Sequence, residues 1–507
     1  MPAYRHLTLS VALLITSFVP ACVQAEIKLP NILSSHAVLQ RDQPIHIWGW
    51  ADPGESVTVR FHDQTRTAGS DDLGKWSLWL APEHAGGPFT LTVQGNAASE
   101  PPVTLSDMLV GDVWVASGQS NMEMPLNGFP GNAVLKNGRQ EIANANLPTV
   151  RLLRIEKNPS YFPVNNISAT WTECTPQTAA EFSAVAYFFG REINSREHVP
   201  IGLIDSTWGG TPVDTWISMD RIGSDAGLMP MFAAWANFTS DLGDMDQIIA
   251  REKREDAAAE QAHQPKPEHP WHPDARSWQP AALYNGMIAP LVPYTIKGAI
   301  WYQGETNSNP ERAPMYHRFF SAMIQDWRTH WGEGNFPFLY VQISNFYSPH
   351  EDWGRLRDQQ RRTLDVANTA MAVTLDIGSE HNVHPPDKQT VGARLALAAR
   401  AIVYGESQLE YSGPLFRTAT VEGSSMRIWF DHAGNGLAAH GSQLNGFEVA
   451  GADGKFVPAT AKIEGSSVIV QAEGVNHPKS VRYGWASWTD ANLFNKENLP
   501  ASTFTSE

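Results

Sequence analysis

Cysteine is nearly missing: the 507 residues hold two, Cys22 and Cys174. That excludes a disulfide-stapled scaffold and any cysteine-built zinc site. Cationic residues are short as well, with 37 Lys and Arg against 53 Asp and Glu and a net charge of −16. A surface this acidic repels phosphate backbones, so no nucleic-acid partner is expected. Beyond residue 25 no stretch reaches the roughly 18 consecutive apolar residues of a spanning helix, so no integral membrane span is expected. Charged residues make up only 18%, while apolar residues reach 42%. That is enough for a sizeable core and rules out wholesale disorder. At this length two or three domains are expected.

Tryptophan is abundant, with 18 residues. Flat indole faces suit packing against sugar C–H surfaces, although core burial accounts for most tryptophans. At the N-terminus, Arg5 and His6 lead into the apolar run Leu7 to Val19 and then Val23-Gln24-Ala25. This is the grammar of a secretory signal peptide over residues 1–25, and it implies a periplasmic or secreted protein. Lipid attachment at Cys22 ranks second, because Pro20 sits beside that site. Cleavage after Ala25 leaves Cys174 alone, without an intramolecular partner.

From Glu26 to about Leu105 short alternating or β-branched runs predict strands at His46–Trp50, Ser56–Arg60, Lys75–Leu80 and Phe89–Val93. Asp52-Pro53-Gly54, Asp72-Leu73-Gly74 and Gly86-Gly87-Pro88 punctuate them, as in a small β-sandwich. Near Ser106 the pattern changes to apolar strands alternating with amphipathic helices, the mark of an α/β domain with a parallel sheet over 106–405. Its predicted strands are Val110–Ser117, Ile201–Asp205, Gly298–Tyr302, Phe338–Ile343 and Met371–Asp376. Helical periodicity runs over Glu181–Arg196, Met315–Trp331 and Val391–Tyr404. An insertion is expected around 231–280. Within it Arg251–Pro280, charged, proline-rich and holding three His, reads as an inserted loop or lid edge. From 406 to 507 β pattern returns at Met426–Phe430, Gly446–Val449 and Ser467–Gln471, a module that is a candidate to pack with the N-terminal one.

Four predicted strands end in chemistry. The first ends in Gly118-Gln119-Ser120-Asn121 at the start of a helix, which places a hydroxyl beside free backbone N–H groups. Alone, such a Ser is more often a helix cap. The second ends in Trp208-Gly209-Gly210-Thr211, where paired glycines let the backbone approach a ligand. The third ends in Trp301-Tyr302-Gln303-Gly304-Glu305, with an amide suited to a developing oxyanion. The last is followed by His381-Asn382-Val383-His384-Pro385, and His384 is the natural general base for Ser120. In an open parallel sheet, successive carboxyl ends line one crevice.

These four blocks resemble an SGNH-type hydrolase, and within that clan the sialate O-acetylesterase family of carbohydrate esterases. Leu29 to Gly54 and Leu283 to Leu291 share the likeness. The resemblance implies a three-layer α/β/α domain with about five parallel strands, flanking β modules, and neither metal nor other cofactor. It implies Ser120 as nucleophile, His384 as base, and the N–H groups of Ser120 and Gly210 with the Gln303 side chain as oxyanion donors. It implies an O-acetylated sugar as substrate: acetylated cell-wall polysaccharide such as xyloglucan or xylan, or O-acetylated sialic acid. The clan's Asp three residues before the His is His381 here, and the family's frequent acid two before it is Asn382. The group orienting His384 is therefore open among Asp376, Glu380, Asp387, Glu305 and a backbone carbonyl. Trp208 and Trp301 are candidates for sugar stacking. Arg355, Arg357, Arg361 and Arg362 are candidates for an anion clamp or a solvated helix face.

Two rival readings come from other classes. A metal-dependent hydrolase would use His381 and His384, or His263, His269 and His272 of the insert, but no regular third ligand follows. A non-catalytic carbohydrate-binding protein suits the tryptophan count and the β modules. It has no need of Ser, paired Gly, Gln and His at four strand ends.

Overall fold

The computed structural model describes residues 27–96, 101–130, 135–243, 245–267, 269 and 272–507. The expected signal peptide and Cys22 lie outside the described residues.

The large mixed sheet is built around six parallel strands. They are β1 (Val103–Gly118), β2 (Leu147–Arg154), β3 (Ile201–Thr207), β4 (Gly298–Tyr302), β5 (Phe338–Gln342) and β6 (Thr369–Val373), in the spatial order β6-β5-β4-β1-β3-β2. An antiparallel edge strand, Thr172–Cys174, pairs with β2. Sequence pattern reveals five of the six. β2 escapes because Pro148, Arg151 and Arg154 break its apolar run. Yet Arg151 is buried, its guanidinium held by Asp107 at 2.8 Å. The last predicted strand also ends early, and Leu375–Ile377 turns into a short 3₁₀ segment. β3, β4 and β5 are buried along their whole length, as expected for strands covered on both faces.

β1 is central in two senses. Its second half lies between β3 and β4, where the strand order reverses and ligands bind in doubly wound sheets. Its first half pairs antiparallel with Gly86–Gln94 of the N-terminal β module and parallel with Val38–Gln40. The change in sequence texture at residue 105 thus falls inside one continuous strand. That module adds Ser56–Phe61 with Gln64–Gly69, and a separate pair, Ile45–Trp50 with Lys75–Leu80.

Helices α1 (Ser120–Glu123), α2 (Ala184–Glu197), α3 (Tyr316–Trp331), α4 (Trp353–Arg362) and α5 (Lys388–Ile402) follow the strands. Ser183 and Asp387 cap α2 and α5 by accepting from Ala186 N–H and Thr390 N–H, a contribution of about 1 kcal/mol each. Among the described residues no helix is long and apolar enough to cross a membrane.

The insert departs from the expected loop. Pro230–Leu242 and Met245–Gln261 are helices. The run of Ala, Glu, Lys and Arg over 250–261 has high helix propensity, which outweighs its charge, and proline enters only from 265 onward. The C-terminal strands form antiparallel sheets of their own. They dock on α4 and the end of β5, through Thr503 N–H to Gln342 Oε1 and Thr505 N–H to Asp358 Oδ1, each 3.3 Å. The N-terminal module instead meets β1 and the 293–294 turn, where Tyr294 Oη donates to Val38 O at 2.6 Å. Among the described residues no hydrogen bond or ion pair joins the two β modules.

Candidate active site

At the carboxyl ends of β1 and β3 the chain opens a cavity of about 850 Å³, lined among others by Ser120, Gly210 and His384. Its size is that of an ordinary ligand site, about 300–1,000 Å³. Gly118 closes β1 with φ 133°, and a Cβ there would stand 2.2 Å from Tyr302 O. Only glycine lets β1 and β4 come this close and turn Ser120 outward.

Ser120 Oγ lies 2.8 Å from His384 Nε2, across 264 residues of chain. With the hydroxyl donating to Nε2, the ring proton belongs on Nδ1. Phe129 meets the imidazole edge-on at a centroid distance of 5.3 Å. Asn382 Oδ1 accepts the His384 backbone N–H at 2.9 Å, so the residue standing where the family often has an acid braces the main chain and leaves the ring alone. Burial, and behind it the charge of Lys388, push His384 from its usual 6.5 down to about 4.

None of the four carboxylates considered for orienting His384 is bonded to Nδ1. Asp376 is paired with Arg394, and Asp387 with Lys136 and the α5 N-terminus. Glu380 lies beside His381, and Glu305 accepts from Asn121 Nδ2 at 2.5 Å. Among the described residues Ser120 and His384 are a hydrogen-bonded pair without a carboxylate on Nδ1.

The oxyanion donors divide. The N–H groups of Ser120 and Gly210 have no partner among the described residues. Gly210 has φ 71°, and its carbonyl is held by Trp278 Nε1–H at 2.7 Å. α1 is a single turn, so free N–H groups matter here, and a long helix macrodipole does not.

Gln303 departs from the sequence expectation. It is fully buried, it donates from Nε2 to Thr211 O at 3.1 Å and Asn307 Oδ1 at 2.7 Å, and its Oε1 accepts from Tyr316 Oη at 2.8 Å. Both amide hydrogens are spent, because strong acceptors stand on either side. Gln119 is placed differently: it lines the cavity, and its Oε1 accepts from Gly304 and Thr306 N–H at 3.4 and 3.3 Å. Its NH₂ is left without a partner among the described residues.

Trp208 lines the cavity, whereas Trp301 is in the core, edge-on to Trp216 and Trp327. The four arginines stay away from the cavity. Arg357 is buried against Ala486 O, Arg361 and Arg362 pair with Asp358, and Arg355 sits over the Trp485 ring. His381 is 82% exposed, and His269 and His272 bond to Asp256 and Glu252 on the insert helix, so these histidines do not gather around His384.

Residues without a motif complete the walls. Glu123 accepts Gly209 N–H at 2.5 Å and pairs with Lys157 at 2.6 Å. Glu351 accepts from Ser308 Oγ at 2.6 Å and Ser348 Oγ at 3.1 Å. Trp278 stacks on Phe238 of the insert at 3.8 Å. Trp278 lies 68 residues from Gly210, and nothing in its own neighbourhood announces the contact.

Comparison with known proteins agrees with this geometry. Residues 271–401 match the family model described as "Carbohydrate esterase, sialic acid-specific acetylesterase". The sialate O-acetylesterase of Homo sapiens is 30% identical over 432 residues, covering 76% of this chain and 73% of the relative. That of Mus musculus is 27% identical, covering 94% and 93%. A carbohydrate acetylesterase from Xanthomonas citri superposes with a TM-score of 0.81 at 38% identity, covering 95% of this chain and all of that one. Fold and site thus define a carbohydrate O-acetylesterase. The chain belongs to the sialate O-acetylesterase family.

Proposed function

We propose that the protein removes acetyl groups from sugar hydroxyls through an acetyl-enzyme on Ser120. The observation carrying this reading is the 2.8 Å contact of Ser120 Oγ with His384 Nε2 in the cavity. His384 takes the Ser120 proton as Oγ attacks the acetyl carbonyl, then gives it to the departing sugar oxygen. Water, activated by the same imidazole, releases acetate. The N–H groups of Ser120 and Gly210 receive the oxyanion, and the third donor is Gln119 Nε2 in place of Gln303. Ser120→Ala abolishes release of acetate from an aryl acetate while the protein stays folded. Wild-type turnover by that variant would end the assignment.

The substrate we infer is an uncharged acetylated glycan, such as xyloglucan or xylan of plant walls. Among the described residues lining the cavity Lys157 is the one lysine or arginine, already neutralised by Glu123, and Glu305 and Glu351 add acidity. A sialate carboxylate finds no free cation there. The relatives' name, sialate O-acetylesterase, supports O-acetylated sialic acid as a second reading. Acetate release from acetylated xyloglucan and from O-acetylated sialic acid, compared as kcat/KM, separates the two.

The doubly wound sheet supports the SGNH three-layer reading of residues 106–405. We also propose residues 26–105 and 406–507 as accessory modules. A periplasmic or secreted address rests on the pattern of residues 1–25.

A further inference from the structure

Three buried polar side chains beside the Ser120–His384 pair take no part in the mechanism above. Lys388 Nζ donates to Asn121 Oδ1, and Asn121 Nδ2 donates to Glu305 Oε1, each at 2.5 Å. Asn121 Nδ2 also reaches Val383 O at 3.0 Å. Asn121 follows the serine and Val383 precedes the histidine, so this one amide ties the two segments of the dyad together.

Lys388 is in a costly place. It is the first residue of α5 and 1% exposed. An ammonium there suffers desolvation and the positive end of the helix at once. Burial pushes it down to about 7, against the pull of Glu305 and Asp387. A residue kept only to fill space would be apolar, since well-packed apolar groups replace buried charges without loss of stability. Its partners are Asn121 Oδ1, the Glu305 carboxylate and the Tyr302 ring face at 5.4 Å.

We propose that Lys388 is a positioning residue: through Asn121 it fixes the His384 segment against Ser120, and it sets a buried ammonium four residues along the chain from an imidazole that has no carboxylate on Nδ1. The proposal rests on the Ser120–His384 reading. Among the described residues the other charged groups around His384 begin with Glu380 and His381, which lie beside each other on its own loop. Glu123 and Lys157 neutralise each other, and Glu305 and Glu351 line the same cavity. Asp387 is paired with Lys136.

The acid limb follows in sign. Turnover needs neutral His384, so activity is full above its folded pKa and lost as pH falls through it. For the wild type the limb of kcat/KM lies near pH 4, well below the usual 6.5. Lys388 carries its charge throughout that range.

The test is the pH profile of aryl acetate hydrolysis by wild type, Lys388→Gln, Lys388→Met and Lys388→Arg. Lys388→Gln keeps a donor for Asn121 and loses the charge. Its limb should move up by about one pH unit or more. Lys388→Met should move it likewise and also lower the plateau by about tenfold, as the tie to Asn121 is lost. Lys388→Arg should restore the wild-type limb. A plateau that falls in the uncharged variants while the limb stays put would reduce Lys388 to a structural part and overturn the proposal. So would a wild-type limb near pH 6.5, a measurement that needs no variant to fold. Loss of the proposal in this way leaves the Ser120→Ala result untouched. Conversely, wild-type turnover by Ser120→Ala would remove its foundation.

Discussion

Gln303 and Gln119 carry the same amide and do different work, and their neighbours decide which. Gln303 saturates Thr211 O, Asn307 Oδ1 and Tyr316 Oη. Gln303→Ala strands the Thr211 carbonyl, at about 1–3 kcal/mol, and takes one of two bonds from Asn307 Oδ1 and Tyr316 Oη, which keep Val213 N–H and the residue 303 carbonyl, so its urea midpoint should fall clearly. Gln119→Ala removes only weak contacts at 3.3 and 3.4 Å. It should leave the midpoint near wild type and cut kcat by about 10²–10³, the cost of one oxyanion donor. A Gln303→Ala that keeps its midpoint and loses kcat would return the donor role to Gln303. That Ser120, Gly210 and His384 share one cavity was legible in the sequence, because the first two follow strand ends, His384 lies on the loop after the last strand, and strand ends share an edge. The spent hydrogens of Gln303 were not, because Thr211 and Tyr316 reach it only after folding.

Elements place the dyad, and two of them are coupled by one indole. Trp278 belongs to the insert's exit, stacks on Phe238 of helix Pro230–Leu242, and donates to Gly210 O. Trp278→Phe keeps the stacking surface and deletes that hydrogen bond, worth about 0.5–1.5 kcal/mol. If that energy aligns Gly210 N–H for the transition state, kcat should fall about two- to tenfold, with KM for a small aryl acetate unchanged. An unchanged kcat would mean that the turn holds its shape alone. The parallel strands were readable as apolar runs, and α2, α3 and α5 as 3.6-residue periodicity; their caps at Ser183 and Asp387 emerge only in the structure. β2 and the insert helices were not. β2 buries an arginine whose partner, Asp107, is 44 residues away. The helix Met245–Gln261 is mostly exposed and shows propensity in place of an apolar stripe.

At the scale of the molecule, a loop of the C-terminal module braces part of the cavity wall without lining the cavity. Phe346 and Ser348 line the cavity, and their backbone N–H groups donate to Ser487 O and Oγ at 3.1 Å. Asn345 exchanges a pair of hydrogen bonds with the Thr489 backbone, at 2.7 and 3.1 Å. Arg357, fully buried and pushed down to about 9 by desolvation, donates to Ala486 O. Removing residues 406–507 would leave Gln342, Asn345, Arg357 and Asp358 without these partners, on a face that the module covers. Each orphaned group costs about 1–3 kcal/mol, and more where it is charged, against a total stability of about 5–15 kcal/mol. The truncated chain should therefore fail to fold cooperatively, and the intact protein should melt without an early transition from the C-terminal module. Asn345→Ala is the milder probe. It should lower the melting temperature and raise KM for an acetylated oligosaccharide more than for an aryl acetate, because the wall bearing Phe346 loosens while Ser120 and His384 keep their contact. A truncated chain that melts cooperatively with wild-type kcat/KM on both substrates would show that the module is an appendage and the wall stands without it.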